Sequence, residues 1–422
     1  MKALLTIFVN ECRAIVRSKT LVMLVIASVA WMFAAPRLFV GDGTESGFRQ
    51  MTLHYSLGGV AALLAVTLLV SATGSIARER TAKRLALTMV RPVRYFVIAL
   101  GKILAYVACG AAVLAIAATI EFARQDDVRC RHVFKPLMPS VAEEAEAMYA
   151  DYMASTNTPE EVRLAKKSVV LRLLANRAVD RYDTIVTNVD WIWKFDFKGM
   201  DSDPELASCP RFARFRFSTN FDQREDVEGE LRLGAYHAVV SNITQAVIEV
   251  PLLRAEGSGA SDELVFRNSG RNPLMLRPRR DVEVLIPADS FGWNLVRAYL
   301  ELVAMLALLI AFGVFLGSSL GRPAALFTAI TALLLSEMAP SVVDNYVDEL
   351  ETDRVDAVGL AITRVSVYVT KPVSSLRPLE ALSLDECVEP REVARILAVD
   401  LVLLPLFLAF LSALVMPRKQ DF

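Results

Sequence analysis

Six stretches of this sequence are apolar over lengths that suit a membrane-spanning helix. Crossing a hydrocarbon core ~30 Å thick takes about 20 mostly apolar residues. The six stretches are 20–40, 56–76, 95–120, 294–316, 324–339 and 393–416, and Glu337 interrupts the fifth near its end. The sequence therefore predicts an α-helical membrane protein with six transmembrane helices.

The rest of the chain is too polar to lie within a membrane. Of 422 residues, 54% are hydrophobic and 22% are charged, and the net charge is −1. This mixture is typical of a protein that combines membrane spans with a folded domain outside the membrane. The balanced charge gives no argument for nucleic acid as a partner.

The N-terminal segment is predicted to be an amphipathic helix along the membrane surface, and the first span that follows it is predicted to be a permanent helix. Its short apolar run, 3–9, is followed by Glu11, Arg13 and Arg17 and not by the small residues of a cleavage site. We assign 1–121 to this helix, the first three spans and the connection 77–94. We assign 293–422 to spans four to six, with an external segment at 342–391.

The distribution of lysine and arginine predicts the orientation of the chain. Basic residues concentrate at one set of span ends, which lysine and arginine mark as cytoplasmic. These residues are Lys2, Arg13, Arg17, Lys19, Arg78, Arg80, Lys83, Arg84, Arg91, Arg94, Arg322, Arg418 and Lys419. We therefore expect a multi-pass protein of the cell (inner or cytoplasmic) membrane with both termini in the cytoplasm.

The connection 77–94 combines this charge with an apolar helical face. Leu85, Met89 and Val93 recur at intervals of four residues, and Pro92 ends or bends the helix. A short amphipathic helix just inside a membrane suits docking in a groove on a cytosolic partner. A simpler interpretation is that the basic residues rest on anionic membrane lipid.

The same connection resembles a family. Its motifs are Ser75-Ile76, Glu79-Arg80, Thr88, Arg91-Pro92-Val93-Arg94 and Gly101-Lys102. They are similar to the cytoplasmic loop of the permease subunits of type-2 ABC transporters, and the six-span plan and residues 290–327 are similar as well. The run 81–87 and the large insert after the third span depart from the family.

The resemblance implies a function and a partner. In that family the loop is a coupling helix that contacts a separate ABC ATPase subunit, and a second permease copy or a related permease completes the translocation path. The residues expected to couple to the ATPase are Arg78, Glu79, Arg80, Leu85, Met89, Arg91 and Pro92. The family includes many exporters.

No catalytic machinery is apparent in this chain. The sequence has no G-x-x-x-x-G-K-[ST] phosphate-binding loop, so ATP hydrolysis is expected in the partner subunit and no cofactor is expected on this chain. His54, His132 and His237 are too scattered for metal-ligand spacing, so no metal site is predicted.

The insert 122–292 is predicted to be an extracytoplasmic α+β domain. Its part 139–183 has helical patterns, and its part 184–290 has short alternating runs typical of a β-sandwich. Trp191 and Trp193 share one strand face, which favours the core over an open rim. Cys130 and Cys209 are a disulfide candidate because an external compartment can be oxidising.

Three acidic residues fall within predicted spans. Glu301, Glu337 and Asp400 all lie toward the predicted external ends, and a carboxylate there should face the interior of the helix bundle. In one interpretation Glu301 pairs with Arg297 and Asp400 with Arg395, while Glu337 reaches the membrane interface. Alternatively, the three line a translocation path.

Two functions therefore remain. The first is the permease subunit of an ATP-driven ABC transporter. The second is a membrane-anchored external binding or assembly module that does not transport.

Overall fold

The fold is described from a computed structural model. It describes residues 2–39, 45–81, 94–124, 132–140, 142–154, 167, 170, 171, 174, 183–195, 211–218, 226–233, 236–243, 247–254, 263–277, 281–334 and 377–416. The chain divides into two compact units, one of Met1–Arg131 with Ser290–Phe422 and one of His132–Asp289. The second unit falls inside the predicted insert 122–292.

The first unit is helical. In the described part of the chain, the helices of both units are α1 (Lys2–Val16), α2 (Lys19–Leu38), α3 (Glu45–Thr81), α4 (Tyr95–Arg124), α5 (Ala142–Ala154), α6 (Phe291–Ser319), α7 (Arg322–Leu334), α8 (Arg377–Ser383) and α9 (Pro390–Val415). All but α5 belong to the first unit.

Five of these helices are long and apolar enough to cross a membrane. They are α2, α3, α4, α6 and α9, and they correspond to five of the six predicted spans. The chain is therefore a multi-pass membrane protein. The predicted fifth span is the exception, because α7 is shorter than a span and 335–339 lie outside the described residues.

Helix α6 lies at the centre of the first unit. In its most apolar window 83% of residues are buried, compared with 22% for α2 and α9. Small residues allow this close packing: Gly313 and Gly317 of α6 lie against Leu69 and Thr73 of α3. This is the G-x-x-x-G spacing that lets membrane helices approach closely.

Helix α9 contains a π-helical segment at Leu397–Leu403. The N–H of Leu404 donates to the carbonyl of Val399, five residues back. The next residue, Pro405, has no N–H and its ring would clash with a carbonyl one turn earlier, so widening the helix just before it relieves the conflict. Asp400 lies within this segment.

The second unit is mainly a β-sheet. Its strands are β1 (His132–Leu137), β2 (Asp183–Ile185), β3 (Asp190–Lys194), β4 (Arg211–Arg216), β5 (Asp226–Leu233), β6 (Tyr236–Ile243), β7 (Val247–Arg254), β8 (Glu263–Asn268), β9 (Leu274–Leu276) and β10 (Val282–Ser290). Eight form one sheet in the order β1-β10-β4-β7-β6-β5-β8-β3, and β2 pairs with β9. The β-rich region is as predicted, but its main strands are joined into one sheet instead of the two separate sheets of a sandwich.

This sheet curls around an aromatic core. Phe215 of β4 and Phe266 of β8 have ring centroids 6.0 Å apart, although three strands separate β4 from β8 in the sheet order. Strands are about 4.8 Å apart, so a flat sheet would hold these rings far from contact. Trp193 is buried in this core and Trp191 packs against it, which is the placement that the alternation favoured.

Strand β1 was not anticipated from the sequence. It precedes α5, whereas the alternating runs predicted strands only from 184 onward. It takes the edge next to β10 in the sheet. The short run His132–Leu137 carries too few residues for its alternation to stand out.

Candidate functional site

The predicted coupling residues begin at the end of α3. Arg78 and Glu79 lie in its last turns, and the backbone of Arg80 continues the helix. The Arg78 guanidinium Nε donates to the Gly74 carbonyl at 3.0 Å. Leu85, Met89, Arg91 and Pro92 lie outside the described residues.

Glu79 belongs to a buried ion cluster formed by Lys102, Glu79 and Glu11, which we call the lysine cluster. Lys102 lies in the second turn of α4 and its side chain is only 2% exposed. Its ammonium Nζ donates to Glu79 Oε1 at 2.8 Å and also to Glu11 Oε1 of α1. One cation thus joins α1, α3 and α4.

Helix α1 packs closely on α4 around this cluster. A Cβ on Gly101 would come within 2.8 Å of Ile7 Cγ2, so glycine is needed for the approach. Cys12 of α1 lies near Cys109 of α4, and burial raises the pKa of Cys12. The amphipathic N-terminal segment is therefore part of the helix bundle.

The lysine cluster opens on a cleft of ≈ 570 Å³. Ser71, Ser75 and Arg78 of α3 and Tyr106 of α4 also line it. The cleft lies at the end of the bundle from which the connection 82–93 leaves α3 and returns to α4. Both ends of that connection are therefore tied to the same ammonium group.

Sequence reasoning noted Lys102 only as part of a motif and missed Glu11. A usable signal was present, because Lys102 lies inside the predicted span 95–120. A charged side chain within a span is expensive unless it is paired, so a carboxylate partner was to be expected. Glu79 and Glu11, 23 and 91 residues away, supply two.

Two of the three predicted path residues meet in a second site. Glu301 of α6 and Asp400 of α9 line one cavity of ≈ 340 Å³, which we call the acidic cavity. Its remaining charged residues come from α8, the connection 384–389 and the start of α9, and they are Glu380, Glu386, Glu389, Glu392 and Arg395. The third predicted path residue, Glu337, lies outside the described residues.

The floor of the acidic cavity is buried and its rim is exposed. Glu301 and Asp400 are 8% and 3% exposed, whereas Glu380, Glu389 and Arg395 are exposed. Asp400 makes no hydrogen bond or ion pair with the residues that the structure describes. Arg395 acts electrostatically on Asp400, the partner that the sequence suggested, while its guanidinium contacts Glu392 at 3.5 Å.

A polar clamp on α6 holds one wall of this cavity. The buried Asn294 amide donates to the Glu386 carbonyl at 2.8 Å, and its oxygen accepts from the Val388 N–H at 2.8 Å. Arg297, one turn later, donates to the Val388 carbonyl at 3.5 Å. The clamp fixes the segment between α8 and α9 against α6, and the sequence contained no local signal for it.

Replacing Asn294 with leucine is expected to loosen this wall. Both backbone groups would lose their partner in a buried position, at a cost of about 2 kcal/mol. Equilibrium unfolding in detergent micelles measures the loss, and hydrogen exchange at Val388 should become faster. Trp293→Leu is the matched control, because the neighbouring Trp293 side chain is 64% exposed and lies outside the clamp, so this variant should lose less. Equal exchange in the leucine variant and the unmodified protein would contradict the assignment of the clamp.

Comparison with known proteins does not supply a function. No family model, curated protein or solved structure matches the chain. The resemblance to type-2 ABC permeases therefore rests only on the sequence motifs.

The cysteines and the possible metal ligands are the remaining predicted sites. Cys130 and Cys209 lie outside the described residues, so their disulfide stays a prediction. Within the described ranges, Cys12, Cys109 and Cys387 form no disulfide. The same ranges contain no group of three or more His, Cys, Asp or Glu side chains that could hold a metal ion.

Proposed function

We propose that this chain is the permease subunit of an ATP-driven type-2 ABC transporter. It forms the translocation path with a second permease copy, and the connection 77–94 couples it to a separate ATPase subunit. Export is the direction that the family resemblance favours. In this proposal both termini lie in the cytoplasm, and the chain has six spans, of which the predicted stretch 324–339 is the fifth.

What supports the proposal is the lysine cluster at the two ends of the predicted coupling connection. Glu79 lies near the start of the connection 77–94 and Lys102 follows its end, and the Lys102 ammonium donates to Glu79 at 2.8 Å. A displacement of the connection by a docked ATPase would therefore act on α3 and α4 together. Through Glu11 the same ammonium also binds α1. A connection that only rested on lipid would not need an ion cluster that links three helices.

A double substitution on the connection tests the coupling. Leu85→Asp with Met89→Asp would put charge into an apolar groove on the ATPase, so co-purification with an ATPase encoded beside this gene should fall at least tenfold. Substrate-linked ATP hydrolysis should fall with it, while membrane insertion persists. Leu87→Asp, on the opposite face of the predicted helix, is the matched control. Full complex formation by the double variant would contradict the coupling role and leave contact with membrane lipid as the role of the connection.

Reporter fusions test the orientation. A reporter that is active only in the cytoplasm should work when fused after Met89 or at Phe422, because lysine and arginine concentrate on that side. The same reporter fused at Gly257 or Asp353 should be inactive. Activity at Gly257 would overturn the external placement of the insert.

The membrane-anchored external module is the second candidate. The observation that favours it is the separate compact unit His132–Asp289, which has its own aromatic core. In this function the unit binds a partner outside the membrane through the surface of its curled sheet, and the spans only hold it. Loss of function on deleting 132–289, with no effect of the Leu85 and Met89 substitutions, would favour this candidate.

A further inference from the structure

We infer that the acidic cavity binds a small organic cation, specifically an amine that is protonated at neutral pH and carries an apolar body. The inference names the substrate class of the proposed translocation path, so its transport role rests on the proposed function. Binding itself does not depend on an ATPase partner.

The charge of the cavity is the first argument. Six carboxylates and one guanidinium line it: Glu301, Glu380, Glu386, Glu389, Glu392, Asp400 and Arg395. Several of these carboxylates also have partners in the protein, but their summed field remains negative. A cleft lined by one sign of charge between low-dielectric walls concentrates ions of the opposite sign. The acidic cavity therefore attracts cations and repels anions.

Asp400 is the second, independent argument. It lines the cavity at 3% exposure within a span, no described residue donates a hydrogen bond to it, and Arg395 acts on it electrostatically without a direct contact. A carboxylate inside a membrane is costly unless it faces a partner or water. An ammonium group in the cavity would donate to this side chain.

The π-helical segment gives the same residue a structural setting. π-Segments are rare and are frequent at functional sites, and Leu397–Leu403 carries Asp400 at its centre. The widened turn leaves local carbonyls out of the regular hydrogen-bond pattern of an α-helix. Pro405, which causes the widening, lies five residues after the carboxylate.

The volume of the cavity indicates the size of the ligand, and its apolar lining indicates that part of the ligand is apolar. A volume of ≈ 340 Å³ lies at the small end of the range for organic ligands. Leu302, Met305, Ile396 and Val399 add apolar surface beside the acids. In the described ranges no set of side chains forms a metal site. These features fit one ammonium group attached to an apolar body.

Binding to the full chain in lipid nanodiscs tests the inference. Calorimetric titration compares phenethylamine and butylamine, both protonated at neutral pH, with the neutral isostere 2-phenylethanol. We expect saturable binding of phenethylammonium and at least tenfold weaker binding of the alcohol, because a charge-assisted hydrogen bond contributes that much. Equal affinity for amine and alcohol, or no saturable binding of either amine, would overturn the site.

Variants locate the binding. Asp400→Asn preserves shape and removes charge, so it should weaken phenethylammonium binding at least tenfold. Glu301→Gln is the second variant and keeps the test decisive if the first does not fold. Glu228→Gln, an exposed carboxylate of the other unit, is the matched control and should bind within twofold of the unmodified chain. Unchanged binding in the folded Asp400 and Glu301 variants would place the ligand elsewhere and remove the inference.

The amine-binding test and the test of ATPase coupling can fail independently of each other. Charge-dependent binding by a chain that never associates with an ATPase would keep the site and remove the permease. ATPase coupling that depends on Leu85 and Met89, without amine binding, would keep the permease and remove the site.

Discussion

Replacing Lys102 with methionine is expected to destabilise the protein by about 3 kcal/mol. The substitution removes a cation whose side chain is 2% exposed and leaves two carboxylates facing one another without it. Breaking a buried ion pair from one side typically costs ~3–5 kcal/mol. The lower end applies here, because the Glu79 side chain is 32% exposed and water screens part of the repulsion.

Equilibrium unfolding in detergent micelles measures this loss, and a combined variant identifies its cause. Adding Glu11→Gln and Glu79→Gln to Lys102→Met removes every charge of the lysine cluster and should restore most of the stability. Arg232→Met is the matched control, because its pair with Glu230 is 58% and 44% exposed and should contribute less than about 1 kcal/mol. A triple variant as unstable as the single one would assign the loss to packing instead of charge.

Replacing Gly317 with alanine should cost about 3 kcal/mol as well, for a steric reason. The added Cβ would lie 2.3 Å from the carbonyl oxygen of Thr73 on α3. The obstructing atom belongs to the backbone, so no side-chain rotation can relieve the contact and the two helices must separate. Overpacking usually costs ~1–3 kcal/mol, and a backbone clash at the centre of the bundle belongs at the upper end.

Two other glycines of the same region provide graded controls. A Cβ on Gly313 would meet Thr73 Oγ1 at 2.9 Å and the Leu69 carbonyl at 3.0 Å, so Gly313→Ala should cost less than Gly317→Ala. A Cβ on Gly321 would meet nothing within 4 Å, so Gly321→Ala should leave the unfolding midpoint nearly unchanged. The expected order of loss is Gly317, then Gly313, then Gly321. A loss at Gly321 equal to that at Gly317 would show that helix propensity or chain stiffness, and not the α3–α6 contact, controls the effect.

The membrane helices were largely readable from the sequence because their signal is local. A span must satisfy its own backbone hydrogen bonds and be apolar over about 20 residues, so a short window of sequence is enough to identify it. Five predicted spans correspond to membrane-length helices on this basis. The β-rich character of the insert was readable for the same reason, since alternation is a property of a few consecutive residues.

The sheet order was decided only by the tertiary structure. The last strand, β10, lies between β1 and β4, and β5 lies between β6 and β8. Such neighbours depend on which strands can bury their apolar faces together, and alternation within one strand does not specify its partner. The same limit explains why the sequence suggested two sheets while hydrogen bonds join the main strands into one.

The charged residues in the spans show most clearly what the sequence determines and what the tertiary structure determines. By itself the sequence determined that Lys102, Glu301 and Asp400 lie in apolar helices, where each carries a desolvation cost that must be met. Only the tertiary structure decided how: Lys102 meets carboxylates from two other helices, whereas Glu301 and Asp400 come together at one cavity. The cost of burying a charge is set by its own position in the chain, but its partner is set by which helices pack side by side.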